Sequence, residues 1–186
     1  MGHGTDPSVE VSLAQGLHTV TASPRLGAVL WWQEPGGEWQ PVPRERLYHG
    51  EVRPIGLQAR YFQGRGWAGT PALERIEPGA ATYYQLPPLG FPFSVEWTGQ
   101  LFAPSAGEYR FSVEAISEAS LEIDARPVVS STEPNVTREA AMTLAQGWHA
   151  IRVRHFAGAG YAHVFVRWLP PGGRWELIPP ANMRPW

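Results

Sequence analysis

Phe93-Ser94-Val95-Glu96-Trp97-Thr98-Gly99-Gln100-Leu101-Phe102 sets apolar and polar side chains in turn, and this stretch decides the fold. A strand points successive side chains to opposite faces, so a period of two marks a strand with one face against a core. Ala103-Pro104-Ser105-Ala106-Gly107 follows as a cluster of turn formers. Tyr109, Phe111, Val113 and Ala115 then alternate with Arg110, Ser112 and Glu114, which predicts an antiparallel hairpin. Working outward, Leu121-Glu122-Ile123 runs into a tight turn at Asp124-Ala125-Arg126. Ile151, Val153 and His155 alternate with Arg152, Arg154 and Phe156, and His163, Phe165 and Arg167 with Val164, Val166 and Trp168. Only residues 137–144 offer a helical reading, and a short one. With 19 prolines and 20 glycines in 186 residues, the predicted class is all-β, an antiparallel sandwich or barrel.

Composition bounds the function. A hydrophobic share of 43% and an aromatic share of 12% exclude a disordered chain. A formal charge of −2 gives no drive toward nucleic acid or acidic membranes. Lysine is absent and all 15 basic side chains are arginine, which points to a GC-rich bacterial genome, with heat adaptation as a second reading. Without cysteine there are no disulfides, thiolate metal sites or thiol nucleophiles. No run approaches the ~18 apolar residues of a membrane span. The start, Met1 to Pro7, lacks the charged and apolar regions of a signal peptide.

The chain also repeats itself. Leu13-Ala14-Gln15-Gly16-Leu17-His18 recurs as Leu144-Ala145-Gln146-Gly147-Trp148-His149. Trp32, Pro35-Gly36-Gly37, Trp39 and Val42-Pro43 recur as Trp168, Pro171-Gly172-Gly173, Trp175 and Ile178-Pro179. The offset grows from 131 to 136, so the second copy holds five more residues, and the loop around Ala157-Gly158-Ala159-Gly160 is their natural place. Strands are expected at Val9 to Leu13 and Leu17 to Thr21. The expected organisation is a tail at 1–7, a partial repeat of the C-terminal hairpin at 8–52 and a β-sandwich at 53–186. Three strands bury too little to stand alone, so the repeat must pack on something else.

These residues resemble the protective-antigen lectin-like domain family, PA-fourteen. Its opening is matched by Gly56-Leu57-Gln58-Ala59-Arg60-Tyr61-Phe62. Its central signature is similar to Phe93 to Gly99, continued by Leu101, Ala103-Pro104, Gly107, Tyr109 and Phe111. Leu121-Glu122-Ile123-Asp124 and Leu144, Gly147, His149 and Trp168 match its later steps. The resemblance implies a jelly-roll-like sandwich that works outside the cell or at its surface, with sugars as ligands, held in some members through calcium on adjacent aspartates. Where many members carry Ser-Asp-Asp-Gly, this chain has Ala115-Ile116-Ser117-Glu118, and Asp6 and Asp124 are its only aspartates. Calcium takes six to eight oxygens, usually with several carboxylates. Ser117, Glu118 and Asp124 are thin candidates, so no cofactor is expected.

Six histidines and fifteen glutamates show no spacing or setting that assembles an acid, a base or a nucleophile, so the chain reads as no enzyme. His149, His155 and His163 would approach one another only across paired strands, and surface or half-buried strand positions are the plainer reading. Sugar binding without metal would use aromatic faces and planar polar groups. Arg65 and Trp67, in the loop Gln63-Gly64-Arg65-Gly66-Trp67-Ala68-Gly69, are the first candidates, with Tyr83, Tyr84 and Trp148 behind them. The plainer reading of Trp67 is a plug for the sandwich end. Trp97, Tyr109, Phe111 and Trp168 read as core. The sequon Asn135-Val136-Thr137 suggests an exposed loop. Two functions remain: a non-catalytic binding module for glycan or cell-wall polysaccharide within a larger surface protein or carbohydrate-active enzyme, or a subunit that assembles with copies of itself through the N-terminal repeat.

Overall fold

The computed structural model of the chain describes residues 31–34, 36–43 and 54–186. The strands expected at Val9 to Leu13 and Leu17 to Thr21, and the tail at 1–7, lie outside the described residues. Contacts divide the chain into Met1–Gly50 and Glu51–Trp186.

In the first unit β1 (Trp31–Trp32) pairs antiparallel with β2 (Gln40–Pro41). The second unit holds β3 (Leu57–Gln63), β4 (Leu73–Glu77), β5 (Ala81–Tyr83), β6 (Phe93–Ala103), β7 (Gly107–Ala115) and β8 (Glu118–Ile123). It continues with β9 (Arg126–Ser131), β10 (Arg138–Leu144), β11 (Gly147–Ala157), β12 (His163–Leu169), β13 (Glu176–Leu177) and β14 (Met183–Arg184). These form two sheets. The larger runs β4-β3-β6-β11-β8-β9, with β14 also on β6; the smaller runs β10-β7-β12-β13, with β5 also on β12.

The period of two becomes the two faces of each sheet. Val95 and Trp97 on β6, Leu121 and Ile123 on β8, and Ile151 and Val153 on β11 turn inward from the larger sheet. Phe111, Val113, Val166 and Trp168 meet them from the smaller one. Trp97, Tyr109, Phe111 and Trp168 are core residues, as expected from the pattern. Residues 138–144 form β10 rather than a helix. Locally the Glu139-Ala140-Ala141-Met142 run favours helix, but β7 offers an open edge, and all seven residues of β10 pair with it.

Two glycines are required by close approach of backbone. At Gly99, φ +157°, a Cβ would lie 2.3 Å from the Arg184 carbonyl of β14. At Gly56, φ +97°, it would lie 2.1 Å from the Glu77 carbonyl. The two-residue turn Asp124-Ala125 has φ of +50° and +60°, the sense that suits the twist of a hairpin and that normally favours glycine. Asp124 supports it: its carboxylate accepts from the Ala150 amide (2.9 Å) and meets His149 Nδ1 (2.8 Å).

Within the described residues, the turn at 34–37 and the turn at 170–173 share their geometry. Trp31 faces Pro41 and Trp32 faces Gln40; 136 residues on, Arg167 faces Leu177 and Trp168 faces Glu176. The Gly37 amide donates to the Glu34 carbonyl at 2.8 Å, and the Gly173 amide to the Pro170 carbonyl at 2.9 Å. Gly36 and Gly172 both have left-handed φ, +78° and +71°.

Candidate functional site

Strand direction gathers the loops 64–72, 84–92, 116–117, 132–137 and 158–162 at one end of the sandwich, and 104–106, 124–125, 145–146 and 170–175 at the other. The loop end carries two groups of exposed functional side chains, one on the outer side of each sheet.

On the smaller sheet, Tyr83 of β5 lies opposite His163 of β12. Its ring is 54% exposed and sits 6.1 Å, at 27°, from that of Tyr161, which is 51% exposed. Phe165 and His163 stand edge-on to Tyr83, at 4.7 and 5.3 Å, and brace it from the strand behind. His163 itself is 4% exposed, and neither ring nitrogen has a hydrogen-bond partner among the described residues. Its Nε2 lies 3.5 Å from Glu114 Oε1. Glu114 accepts from the Thr137 hydroxyl (2.8 Å) and faces Arg167 (3.6 Å), whose guanidinium covers Phe165.

On the larger sheet, the loop after β3 folds over β6. The Ser94 hydroxyl accepts from the Gly66 amide and donates to the Gly64 carbonyl, and Trp67 Nε1 donates to the Val95 carbonyl at 3.1 Å. Trp67 is half-buried with the Arg154 guanidinium 5.2 Å from its ring, and Arg154 is itself held by Glu96 at 2.7 Å. Arg65 pairs with Glu118 and lies over Phe156 at 4.7 Å. Trp67 thus rests on the outer side of the larger sheet, its N–H satisfied and its ring covered by Arg154.

The remaining candidates separate. Tyr84 is buried, its ring parallel to that of His155 at 5.9 Å. Trp148 belongs to the opposite end, beside Phe102 at 5.1 Å and under the Arg184 guanidinium at 4.0 Å. Asp124 lies at the far end of β8 from Ser117 and Glu118, about 20 Å away at ~3.3 Å per residue, so the three share no ion. Among the described residues no group of three or more His, Asp or Glu could hold a metal ion. The histidines do not form one site either. His149, bonded to Asp124 and to the Ala145 carbonyl, is at the far end; burial works against its charged form, but those bonds outweigh it and its pKa is raised. Fully buried His155 donates through Nδ1 to the Glu118 carbonyl (2.8 Å), and burial, with neighbouring His163 adding to it, lowers its pKa to about 4.

Tyr161, Phe165, Glu114 and Arg167 were not legible as site residues. One signal was present: Phe165 is an aromatic on the polar-facing phase of a half-exposed strand. Tyr161 lies in the loop of 158–162, between β11 and β12.

A family model, the PA14 domain, matches residues 56–182. The chain belongs to the PA14 domain family. The match begins at Gly56, where the backbone of β4 leaves no room for a side chain. Among solved structures, an anti-sigma factor domain-containing protein from Clostridium clariflavum is similar at TM-score 0.64 and 24% identity, over 85% of this chain and 60% of that one. A PA14 sugar-binding domain from an RTX adhesin matches at TM-score 0.60 and 16% identity, over 71% of this chain and 99% of its own. The Epithelial Adhesin 9 A domain from Candida glabrata, in complex with Galb1-3GlcNAc, matches at TM-score 0.57 and 10% identity, over 70% and 88%. The chain spans about three-fifths of the length of the anti-sigma factor domain-containing proteins. No curated protein matches the chain. At these identities the solved structures establish a shared PA14 fold, antiparallel and all-β.

Among the described residues no helix is long and apolar enough to cross a membrane. Arg65 pairs with Glu118, and Ser117 Oγ accepts from the Gly158 amide at 3.3 Å.

Proposed function

We propose that this PA14 chain is a non-catalytic carbohydrate-binding module that contacts glycan or cell-wall polysaccharide outside the cell, without a metal ion, as part of a larger surface protein or carbohydrate-active enzyme. The observation that carries this reading is the exposed Tyr83–Tyr161 pair at the loop end, fixed from behind by Phe165 and His163. Sugar rings stack on aromatic faces held in place in advance, which cost little entropy on binding. Glu114 and Arg167 beside them offer acceptors and donors for hydroxyl groups. The adhesin domains of the same fold, one a PA14 sugar-binding domain and one in complex with a disaccharide, support the reading. Affinity electrophoresis in gels containing neutral polysaccharides tests it. Retardation that survives a chelator and disappears in Tyr161→Ala is expected; loss of binding on chelation would remove the metal-free mechanism.

A second reading, a subunit that assembles with copies of itself, is favoured by one observation. β1 and β2 reproduce the pairing of β12 with β13 residue for residue, so the first unit offers strands suited to a similar sheet. Light scattering of the full chain and of residues 53–186 over a concentration series decides it, since assembly by this route requires the full chain.

A further inference from the structure

The outer face of the smaller sheet is longer than the tyrosine pair. Along β7 and β12 it runs from Tyr83, opposite His163, to Arg110, opposite Leu169. That is six steps along β12, about 20 Å at ~3.3 Å per residue. At the far end the Arg110 guanidinium lies 5.7 Å from the ring of Trp175, which is 36% exposed. Between the two aromatic stations the face carries two ion pairs: Glu114 faces Arg167 at 3.6 Å, and Arg110 pairs with Glu139 at 2.6 Å. Each charge there has an opposite partner, so the strip has no net charge.

We infer that this face is a binding strip for the interior of a linear, uncharged polysaccharide. One stretch of the chain stacks on Tyr83 and Tyr161, another on Trp175, and its hydroxyls meet the paired charges between. This rests on the carbohydrate reading above and adds ligand length, ligand charge and a second station. Geometry and chemistry both select this ligand. A terminal sugar would use one station only, as one pyranose cannot span about 20 Å. A charged glycan would have to break an ion pair to gain a partner. A hydroxyl-rich neutral chain accepts and donates at groups already paired, and its apolar ring faces fit both aromatic ends. His163 contributes by position: buried, and with neither ring nitrogen hydrogen-bonded, it sits under the tyrosine station with Nε2 3.5 Å from Glu114 Oε1.

The experiment is calorimetric titration of the full chain with neutral oligosaccharides of two to eight units, from β-glucan, xylan and mannan, chosen after the gel screen. The hexasaccharide of the recognised series should bind at least tenfold more tightly than the disaccharide. Trp175→Ala should cost the hexasaccharide roughly tenfold, about one aromatic stacking contact, and with it most of the hexasaccharide's advantage over the disaccharide. Tyr161→Ala should weaken both. Both residues are exposed, and far-UV circular dichroism with thermal unfolding checks that the variants fold. Equal affinity for disaccharide and hexasaccharide, with Tyr161→Ala still impaired, would overturn the strip and leave the carbohydrate reading intact. Binding confined to sulfated or uronic-acid polysaccharides would overturn the neutral ligand. A dimer dispersed by Trp175→Ala would give the face to a second copy of this chain. Absence of binding to every polysaccharide, neutral or charged, would overturn both readings.

Discussion

Acid should destabilise this domain through one residue, His155. Its ring is fully buried on the inward side of β11, parallel to Tyr84, and its pKa falls from 6.5 to about 4, mainly through burial. The folded-state value is below the unfolded one, so between them the unfolded chain binds the extra proton. The stabilising contribution is therefore complete above pH 6.5 and lost as pH falls toward 4. The gap, 6.5 − 4 = 2.5 units, corresponds at ~1.4 kcal/mol per unit to about 3 kcal/mol in full, and to about 2 kcal/mol at pH 5. That is a substantial part of the ~5–15 kcal/mol that holds a typical domain together. His149, whose pKa is raised, works in the opposite sense: its contribution is present in acid and is lost as pH rises through its folded value. It is common to wild type and variant and cancels in their difference. The assay is urea unfolding followed by tryptophan fluorescence at pH 7.5, 6 and 5, for wild type and His155→Phe. At pH 7.5 the variant should be less stable by about 1 kcal/mol, having lost the bond to the Glu118 carbonyl. By pH 5 the order should reverse. A difference between the two proteins that stays constant across this range would refute the reasoning.

Three further outcomes follow from the same geometry. Glu77 accepts from the buried Tyr61 hydroxyl and Trp97 Nε1, both at 2.7 Å, so Glu77→Ala orphans two donors and should cost about 3–5 kcal/mol in chemical unfolding. Gly99→Ala drives a methyl group into the Arg184 carbonyl and should cost about 1–3 kcal/mol, with faster amide exchange concentrated in residues 183–184. Ala125→Gly relieves a left-handed alanine at the β8–β9 turn and should raise stability by about 0.5–1 kcal/mol, read as a higher midpoint of thermal unfolding.

What could be read from the sequence was whatever a few neighbouring residues decide. The alternation of β6, β7, β11 and β12 follows from a period of two, and with it the identity of Trp97, Phe111, Val153 and Val166 as core. The glycines at 56 and 99 belonged to the family pattern, and the structure supplies their reason: each lies where another strand's carbonyl passes. Residues 137–144 mark the limit. Their alanines and methionine suit a helix as well as a strand, and only the open edge of β7 chose between them.

The sites were settled by tertiary structure alone, because their members are far apart along the chain. Arg65 reaches Glu118 across 53 positions, and Arg154 reaches Glu96 across 58. Tyr83, Glu114, Tyr161 and Arg167 come from β5, β7, a loop and β12, and they meet because β12 runs between β5 and β7. Local pattern assigns a side chain to a face; strand order assigns its neighbours. The sequence by itself therefore determined that this protein is a PA14-like sandwich with a repeated closing turn. Strand order then covered Trp67 with Arg154, buried Tyr84, and left Tyr83 and Tyr161 together and exposed at the loop end.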